Sequence, residues 1–470
     1  MKFKIYYGRW TTPMNREHAR SAVDAGSTVL AAAWLCFTSA SFAQPSAAKN
    51  GVATNVCRID LPTALKLAGA QNLDVQIARQ SLAEAKANHE SAVWQFFPWL
   101  SPGVGYRRHD DLIQETPGDI IEVHKDSYAV GPTLAAQLDL GDAIYKNLAS
   151  RQLVKAADYG LESQLQDSIL ASAQGYFDLA RASGLAGVIR ESLRISEDYQ
   201  HQLHEAVGAG IAFKGDELRV QVQTERYQLA LRQTLEQQRV AAARLAQVLH
   251  LDATVELIPQ DSDLAPLTLI ETGAALDSLV HRALRSRPEA RQSEALASAA
   301  KDAKNGATYG PLVPSVGAQV FVGGLGGGRE GIPNTFGSSE DYFVGLGWRI
   351  GPGGLFDSGR IHATAARLEA SKLASAKVTD DITRQVVESH TRVQSLADQL
   401  LTTKTNLTTA SETLRLTRER KQFGVGAVLE DIQAQQELTR ARSDYLNVVA
   451  DYNKAQYQLA KAVGGLSKAE

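Results

Sequence analysis

The chain has 470 residues, of which 49 are basic and 52 acidic, so its formal net charge is −3. Because these charges nearly balance and no basic patch stands out, nucleic acid is excluded as a partner. A chain of this length would allow about three compact domains. Its longest helical pattern, however, is too long for a small globular domain, so the sequence predicts a helical shaft.

Residues 1–43 are predicted to be an export signal. Arg16 and Arg20 precede an apolar run over 28–37, and residues 41–43 supply the small-x-small pattern found before a cleavage point. The alternative is a short buried or membrane-anchoring helix. We favour the signal because the run is shorter than the roughly 20 apolar residues that a spanning helix needs.

The signal affects how the start and the cysteines are interpreted. Met1 would give a long signal, whereas Met14 would give one of ordinary length, so either methionine is a candidate start. Cys36 would leave with the signal, and Cys57 would then have no partner for an intrachain disulfide. Residues 44–56 are predicted to be a linker.

Residues 57–270 are predicted to form a first repeat, which begins with a helix. Apolar residues recur at a loosely helical spacing from Leu61 to Trp94, and Pro98 ends the pattern. The period then changes to two, which indicates two strands separated by a polar loop over 109–126. The elements expected after the first helix are strands at about 99–108 and 127–138 and a helix pair over 139–251.

Residues 271–464 show the same order of elements and are predicted to form a second repeat. A helical pattern runs from Leu276 to Asn305, and a glycine-rich loop over 323–339 separates two more alternating segments. Residues 465–470 are left as a C-terminal tail. The elements expected after the first helix are strands at about 313–323 and 341–351 and a helix pair over 357–463.

Landmarks in the two halves match at nearly constant offsets. Residues 139–141 correspond to 357–359 at an offset of 218, and Gly210 corresponds to Gly424 at an offset of 214. Solenoid repeats have periods of about 20–50 residues. The longer period here indicates a duplicated domain half.

The segment from Asp357 to Gly424 is predicted to be one long helix, because it has no proline and only one internal glycine, Gly359. Residues seven apart in it form the a/d pattern of a coiled-coil seam. The d positions are mostly small, so a partner helix can approach closely. At 1.5 Å per residue the helix would be ~100 Å long. The seam consists of Val386, Val393, Leu400, Leu407 and Leu414 at a, with Ser389, Leu396, Thr403 and Ala410 at d.

The four predicted strands each have one apolar face and are about eight to eleven residues long, which is the length that a tilted strand needs to cross a bilayer. A small soluble sheet packed on helices shows the same alternation and stays as the alternative. In lipid a sheet must close so that no backbone group is left unpaired. Four strands cannot close alone, so the membrane interpretation requires an oligomer.

Residues 424–435 (GVGAVLEDIQAQ) and 355–359 (LFDSG) carry a family resemblance. With the duplicated order of helix, two strands and two helices, they resemble the repeated pattern of TolC-like outer-membrane efflux and secretion channels. The resemblance covers essentially the whole chain after the signal. It implies a mainly α protein with membrane β structure. Three chains would form one outer-membrane β-barrel, with four strands per chain, continued by a long α-helical coiled-coil tunnel.

The resemblance also implies a passive exit duct of a tripartite efflux pump or type I secretion system in a Gram-negative bacterium. Its expected partners are a periplasmic adaptor protein, an inner-membrane transporter and outer-membrane lipid, with no cofactor, metal or catalytic residue. The alternatives are a periplasmic adaptor or scaffold coiled coil, which would have one hairpin, and a secreted hydrolase on a helical scaffold. The sequence does not indicate which substrate leaves through the duct.

In the resembled family the turns between paired long helices form the periplasmic mouth of the tunnel. The acids here are first-turn residues favoured by the helix dipole, and the glycines are turn residues. In a trimer the same acids would form rings that favour cations. The gate residues implied by the resemblance are Asp216, Glu217, Glu430, Asp431, Gln433 and Lys421. The helix-turn tips expected to meet an adaptor are Gly208, Gly210, Gly215, Gly424 and Gly426.

Two gate positions refine this expectation. Gln433 stands where the family has a second acid, so the inner ring is expected to be less charged. Lys421 lies three residues before Gly424 and is expected to pair with Asp216 of the other half. An exposed pair of this kind contributes only ~0–1 kcal/mol.

Two other motifs are weaker. The glycines over 323–331 have the spacing of a nucleotide-binding loop but join two strands instead of opening a helix, so an extracellular loop is expected. Residues 109–111 (HDD) could bind metal, yet no partner cluster has ligand spacing. No nucleophile and base pattern predicts an enzyme.

Overall fold

The structure is a computed structural model, and it describes residues 56–97, 99–114, 117–252, 255–260, 264–329, 333–422 and 428–466. The predicted signal lies outside the described residues, as do Gly424 and Gly426 and the side chain of Lys421.

The first half combines short helices and strands with two very long helices. Its long helix α3 continues for 69 residues without interruption. The elements are β1 (Val56–Ile59), α1 (Leu61–Gln71), α2 (Leu73–Trp94), β2 (Trp99–His109), β3 (Leu112–Gln114), β4 (Ile120–Glu122), β5 (Lys125–Leu138), α3 (Leu140–Gly208), α4 (Lys214–Val248) and β6 (Glu256–Pro259).

The second half has the same order of helices and long strands. Among the described residues, no helix combines the length and the apolar character needed to span a bilayer. The elements are α5 (Leu276–Ser286), α6 (Pro288–Tyr309), a 3-10 turn (Gly310–Leu312), β7 (Ser315–Arg329), β8 (Thr335–Gly347), α7 (Ser358–Gln422) and α8 (Val428–Ala462).

Each repeat has two helices before its first long strand, so the prediction of a single first helix is wrong in both. Asn72 ends α1 and caps α2, because its Oδ1 accepts from the backbone N–H of Asp74 at 2.9 Å and its Nδ2 donates to the Val248 carbonyl at 2.8 Å. In the second repeat Pro288 opens α6. A proline disfavours helical geometry in the residue before it, and Arg287 is accordingly extended.

The glycine-rich segment over 323–339 is mostly strand, so the prediction of a long loop there is wrong. The strand β7 continues to Arg329, and the strand β8 begins at Thr335. A Cβ on Gly324 would collide with the ring of Phe336, and one on Gly326 with the ring of Tyr128. Those rings stack at 5.8 Å between centroids. The glycines therefore make room for aromatic residues of the flanking strands.

The four long strands form one antiparallel sheet in the order β2-β5-β7-β8. The register pairs Val104 with Val130 and Leu134 with Val320, so the even-numbered residues share an apolar face. Two small sheets were not predicted. The strand β1 pairs with β6 in parallel, and β3 pairs with β4 inside the predicted polar loop over 109–126.

The helical part is built around α3, which packs against α2, α4, α6 and α8. The core contains Phe177, which contacts Tyr176 at 5.7 Å and Tyr457 at 5.8 Å between ring centroids. The predicted seam of α7 is confirmed by burial. Val386, Val393, Leu396, Leu414, Ser389 and Ala410 are buried, and Leu400, Thr403 and Leu407 are half-buried.

Candidate functional site

The turn between α3 and α4 has the hydrogen bonds of a Schellman motif. The backbone N–H of Gly210 donates to the Val207 carbonyl at 3.0 Å, and that of Ile211 donates to the Ala206 carbonyl at 2.8 Å. Gly210 has φ +74°, the left-handed conformation that glycine adopts most readily. The predicted role of Gly210 as a turn residue is explained by this geometry, whereas Gly208 is the last residue of α3.

Two apolar side chains project from this turn. Ile211 is 83% exposed, and Phe213, which precedes α4, is 73% exposed. The Phe213 ring covers Gly215, since a Cβ at that position would collide with it. The turn at the end of the first helix pair therefore exposes two large apolar side chains, which lie between Gly210 and Gly215 in the sequence.

The acid Glu217 in the first turn of α4 is buried among polar partners. Its Oε1 lies 2.9 Å from His204 Nδ1, and its Oε2 accepts from Lys214 Nζ at 2.6 Å. The pKa of Glu217 is lowered, first by the hydrogen bond with His204 and then by the one with Lys214. Glu217 thus ties α4 to the last turns of α3.

The neighbouring acid Asp216 pairs with Arg219 of its own helix, at 3.1 Å. The expected pair between Asp216 and Lys421 involves a side chain outside the described residues, so it stays a prediction. An aspartate in a first turn is favoured by the helix dipole, and an arginine three residues later adds a local pair.

The acids of the second repeat pair with bases of the preceding helix. Glu430 Oε2 lies 3.3 Å from Arg420 Nη1, and Asp431 Oδ1 lies 3.8 Å from Arg418 Nε. Arg418 also donates to Gln435 Oε1 at 3.1 Å. These contacts join the end of α7 to the start of α8. Gln433 is exposed and takes no part in them.

The charges of one acid from each repeat act on Tyr199 of α3. The pKa of Tyr199 is raised to about 12, first by burial and then by the charges of Asp431 and Asp216. Tyr199 faces a cavity of about 640 Å³ between α3, α4, α7 and α8. Residues lining the cavity include Tyr199, Val220, Gln223, Arg418, Asp431 and Gln435.

Buried hydroxyl groups fix these helices to one another beside the cavity. Ser192 and Thr439 lie 2.8 Å apart across α3 and α8, and Ser196 and Thr224 lie 2.8 Å apart across α3 and α4. Tyr227 reaches Thr439 at 3.4 Å. Because buried polar groups are costly when unpaired, these contacts favour one alignment of the helices.

Neither of the weaker motifs forms a site. Asp110 pairs with Arg108 at 2.8 Å and with His124 at 3.0 Å, and Asp111 lies in a turn with φ +86°. Over the described ranges, no group of three or more possible ligands is placed to hold a metal ion. The glycine-rich segment belongs to the sheet.

The structure adds residues that sequence reasoning missed. Tyr199, His204 and Lys214 contact or face the predicted acids of the first repeat, and Arg418 and Arg420 pair with those of the second. His204 and Arg418 are separated by the repeat offset of 214 residues, so a comparison of the two repeats could have identified both as candidates.

The family model described as Outer membrane efflux protein matches the chain twice, over residues 64–249 and 279–465. The two matched segments correspond to the two repeats and together exceed half of the chain. No curated protein sequence matches the chain significantly.

Solved structures share the fold at low sequence identity. A membrane protein from Pseudomonas aeruginosa has a TM-score of 0.74 at 18% identity, covering 87% of this chain and 94% of that one. The CmeC outer membrane channel of Campylobacter jejuni has a TM-score of 0.72 at 16% identity, covering 87% of each chain. The open state of the MtrE outer membrane channel of Neisseria gonorrhoeae has a TM-score of 0.68 at 17% identity, covering 86% and 89%.

A single-hairpin adaptor or scaffold would not contain two strand pairs, each followed by a long helix pair, so that alternative is not favoured. The family match in both repeats and the shared channel fold agree with the order of elements in this structure. The chain therefore belongs to the outer membrane efflux protein family.

Proposed function

We propose that three copies of this chain form a passive exit duct, which a periplasmic adaptor and an inner-membrane transporter complete. The four-stranded sheet of one chain has two unpaired edges, β2 and β8. Pairing β8 of one chain with β2 of the next would close a barrel, as lipid requires. The apolar even-numbered face would contact outer-membrane lipid, and the chain itself would carry out no chemical step.

The periplasmic end of the duct is proposed to be its gate. The observation that carries this proposal is the set of charged pairs at the helix-pair ends of both repeats. In the first repeat Asp216 pairs with Arg219 at 3.1 Å and Glu217 lies 2.9 Å from His204. Arg418 and Arg420 pair with the acids of the second repeat. In a trimer these groups would recur three times around the axis. Acids held by arginines in the closed state would become a cation-favouring ring once those pairs separate.

The exposed apolar turn is proposed to meet the adaptor. Ile211 and Phe213 are large apolar side chains at the tip of the first helix pair. Apolar and aromatic anchors of this kind dominate the energy of many protein interfaces. The glycines at 424 and 426 would shape the corresponding turn of the second pair.

Conductance in planar bilayers tests the gate. We expect Asp216→Ala and Glu430→Ala channels to lose cation selectivity relative to the unmodified channel, because each removes an acid from the proposed rings. Lys421→Ala examines the predicted pair with Asp216 and is expected to raise the closed-state current. Gln433→Ala is the matched control, since it removes an uncharged side chain from the same turn. Unchanged conductance and selectivity in the three test variants would contradict the gate.

A further inference from the structure

A row of basic residues crosses the sheet at the end farthest from the helices. The register places His109 opposite Lys125, and Lys125 opposite Arg329. Neighbouring strands are ~4.8 Å apart, so the three side chains begin close together. Arg107 is two residues from His109 on the same strand. The helices follow β5 and β8 at the opposite ends of those strands, which makes this row the outer end of the sheet.

The row lies on the face that is opposite the apolar one. Even-numbered residues of the long strands include Val104, Val130, Val320 and Val344. The basic row is odd-numbered in all three strands, on the face shared with Ser101 and Thr133. In outer-membrane barrels the apolar face meets lipid and the polar face lines the lumen. The basic row therefore belongs to the lumen of the trimeric duct proposed above, on which this inference rests.

The charges of the row are not neutralised by contacts in the described part of the chain. Arg107, Lys125 and Arg329 are exposed, and no described carboxylate lies within 4 Å of them. Directly opposed like charges destabilise a sheet. The lumen acid Asp341 is paired with Phe321, eight residues along β7 from Arg329. That is about 26 Å at ~3.3 Å per residue, well beyond the Debye length of about 8 Å in physiological salt.

The neighbouring residue Arg108 provides a contrast. It lies on the even-numbered face and pairs with Asp110, which also contacts His124. The acids Asp119 and Glu122 belong to the β3–β4 segment beyond the strand ends. The basic side chains of the row thus have no contact with a described carboxylate. Arg108, one position away on the other face, does have such a contact, with Asp110.

We propose that Arg107, His109, Lys125 and Arg329 form an anion-binding ring at the outer mouth of the duct. Three chains would contribute three such rows around one opening. A ring of fixed cations raises the local concentration of anions and binds multivalent ones most strongly. The periplasmic tip would favour cations and the outer mouth anions, so phosphate-bearing or polycarboxylate solutes are the chemical class whose release the outer mouth assists.

The test uses the full-length trimer in planar bilayers of zwitterionic lipid, under a potassium chloride gradient. The triple variant Arg107→Gln, Lys125→Gln, Arg329→Gln is expected to shift the reversal potential toward potassium permeability. Pyrophosphate added on the outer side should reduce the current of the unmodified channel, with an affinity about tenfold higher than for the triple variant. Both differences should disappear near 1 M salt, where the Debye length is about 3 Å.

Arg108→Gln is the matched control, because it removes the same charge one residue away on the other face. It should leave the reversal potential and the pyrophosphate block unchanged. The proposal is overturned if the triple variant conducts with unaltered selectivity, or if Arg108→Gln shifts it equally. Lipopolysaccharide that co-purifies less with the triple variant would place the row on the lipid face and also overturn it. If the triple variant does not assemble, Lys125→Gln alone must show a smaller shift in the same direction.

The proposed duct and the proposed ring fail in different ways. A protein that forms no conducting channel in any variant would contradict the duct and the ring together. Normal conductance with an unaltered reversal potential would contradict the ring alone.

Discussion

The two helix-pair turns occupy equivalent positions in the repeats, yet their acids pair with bases in different places. In the first repeat Asp216 pairs with Arg219 and Glu217 with Lys214, both within α4, and Glu217 also contacts His204 of the preceding helix. In the second repeat Glu430 and Asp431 pair with bases of the preceding helix. The first turn therefore has pairs within α4 in addition to its contact with α3, whereas the pairs of the second turn all require α7 and α8 to remain together.

One pair is common to both turns, and its chemistry differs. The offset of 214 residues aligns His204 with Arg418 and Glu217 with Asp431. In each repeat the base before the turn reaches the second acid after it. A guanidinium keeps its charge at any physiological pH, whereas an imidazole can lose it. Both repeats therefore keep a base before the turn near the second acid after it, at 2.9 Å for His204 and Glu217 and at 3.8 Å for Arg418 and Asp431.

The largest expected effect comes from removing the bases of the second turn. In the double variant Arg418→Gln, Arg420→Gln the acids Glu430 and Asp431 lose their partners on α7. The two helices are then held less firmly, and we expect the closed-state conductance in planar bilayers to rise several-fold.

The equivalent change in the first turn should do much less. In the double variant His204→Gln, Arg219→Gln, Glu217 keeps Lys214 as a partner within α4. We expect a conductance close to that of the unmodified channel. Equal increases in the two double variants would mean that the difference in pairing has no bearing on the gate.

A smaller effect is expected from the glycine of the first turn. Gly210→Ala should destabilise the protein by about 1–2 kcal/mol, because a Cβ disfavours the left-handed conformation that this residue adopts. Gly208→Ala is the control, since Gly208 ends a helix with open space around its Cα. It should be neutral or stabilising by up to about 1 kcal/mol. Thermal unfolding in detergent, followed by circular dichroism, measures both.

The same measurement extends the comparison to the second turn. Gly424→Ala should lower the unfolding temperature as much as Gly210→Ala if duplication has kept the backbone geometry. A neutral Gly424→Ala would show that the two turns differ in backbone as well as in charge.

Local periodicity was enough to predict the long helices and the seam of α7, because each residue's burial there follows from its position on one helix. Local periodicity was not enough where a contact with a residue far away in the sequence determines the local structure. Asn72 splits the first helix while donating to the carbonyl of Val248. The glycines of β7 form a strand because Tyr128 and Phe336 occupy the space above them.

The candidate site, too, could be predicted from the sequence only in part. Its acids could be predicted because they follow the turns in both repeats at one offset. Of their partners, His204 and Arg418 share that offset and could have been found from it, whereas Arg420 has no basic counterpart, because Ala206 stands 214 residues before it. Tyr199 was missed because its environment combines charges from α4 and α8, which are separated by more than two hundred residues.

The smallest expected effect is a pH dependence at Glu217, and it separates the two partners of this acid. Its pKa is lowered below the ordinary value of 4.5, so the ionised form is favoured by folding. The resulting stabilisation is fully present above pH 4.5 and is lost as the pH falls through the lowered pKa. The difference in unfolding temperature between the unmodified protein and Glu217→Gln should therefore be larger near pH 5.5 than near pH 3.

Introducing Glu217→Gln into the variants His204→Gln and Lys214→Gln separates the contributions of the two partners to this pH dependence. His204 is the larger cause of the lowered pKa and Lys214 the smaller. The pH-dependent difference caused by Glu217→Gln should shrink more in the His204→Gln background than in the Lys214→Gln background. The opposite order would mean that the pair within α4 dominates, and that the first turn has lost the link across the turn that Arg418 and Asp431 keep in the second.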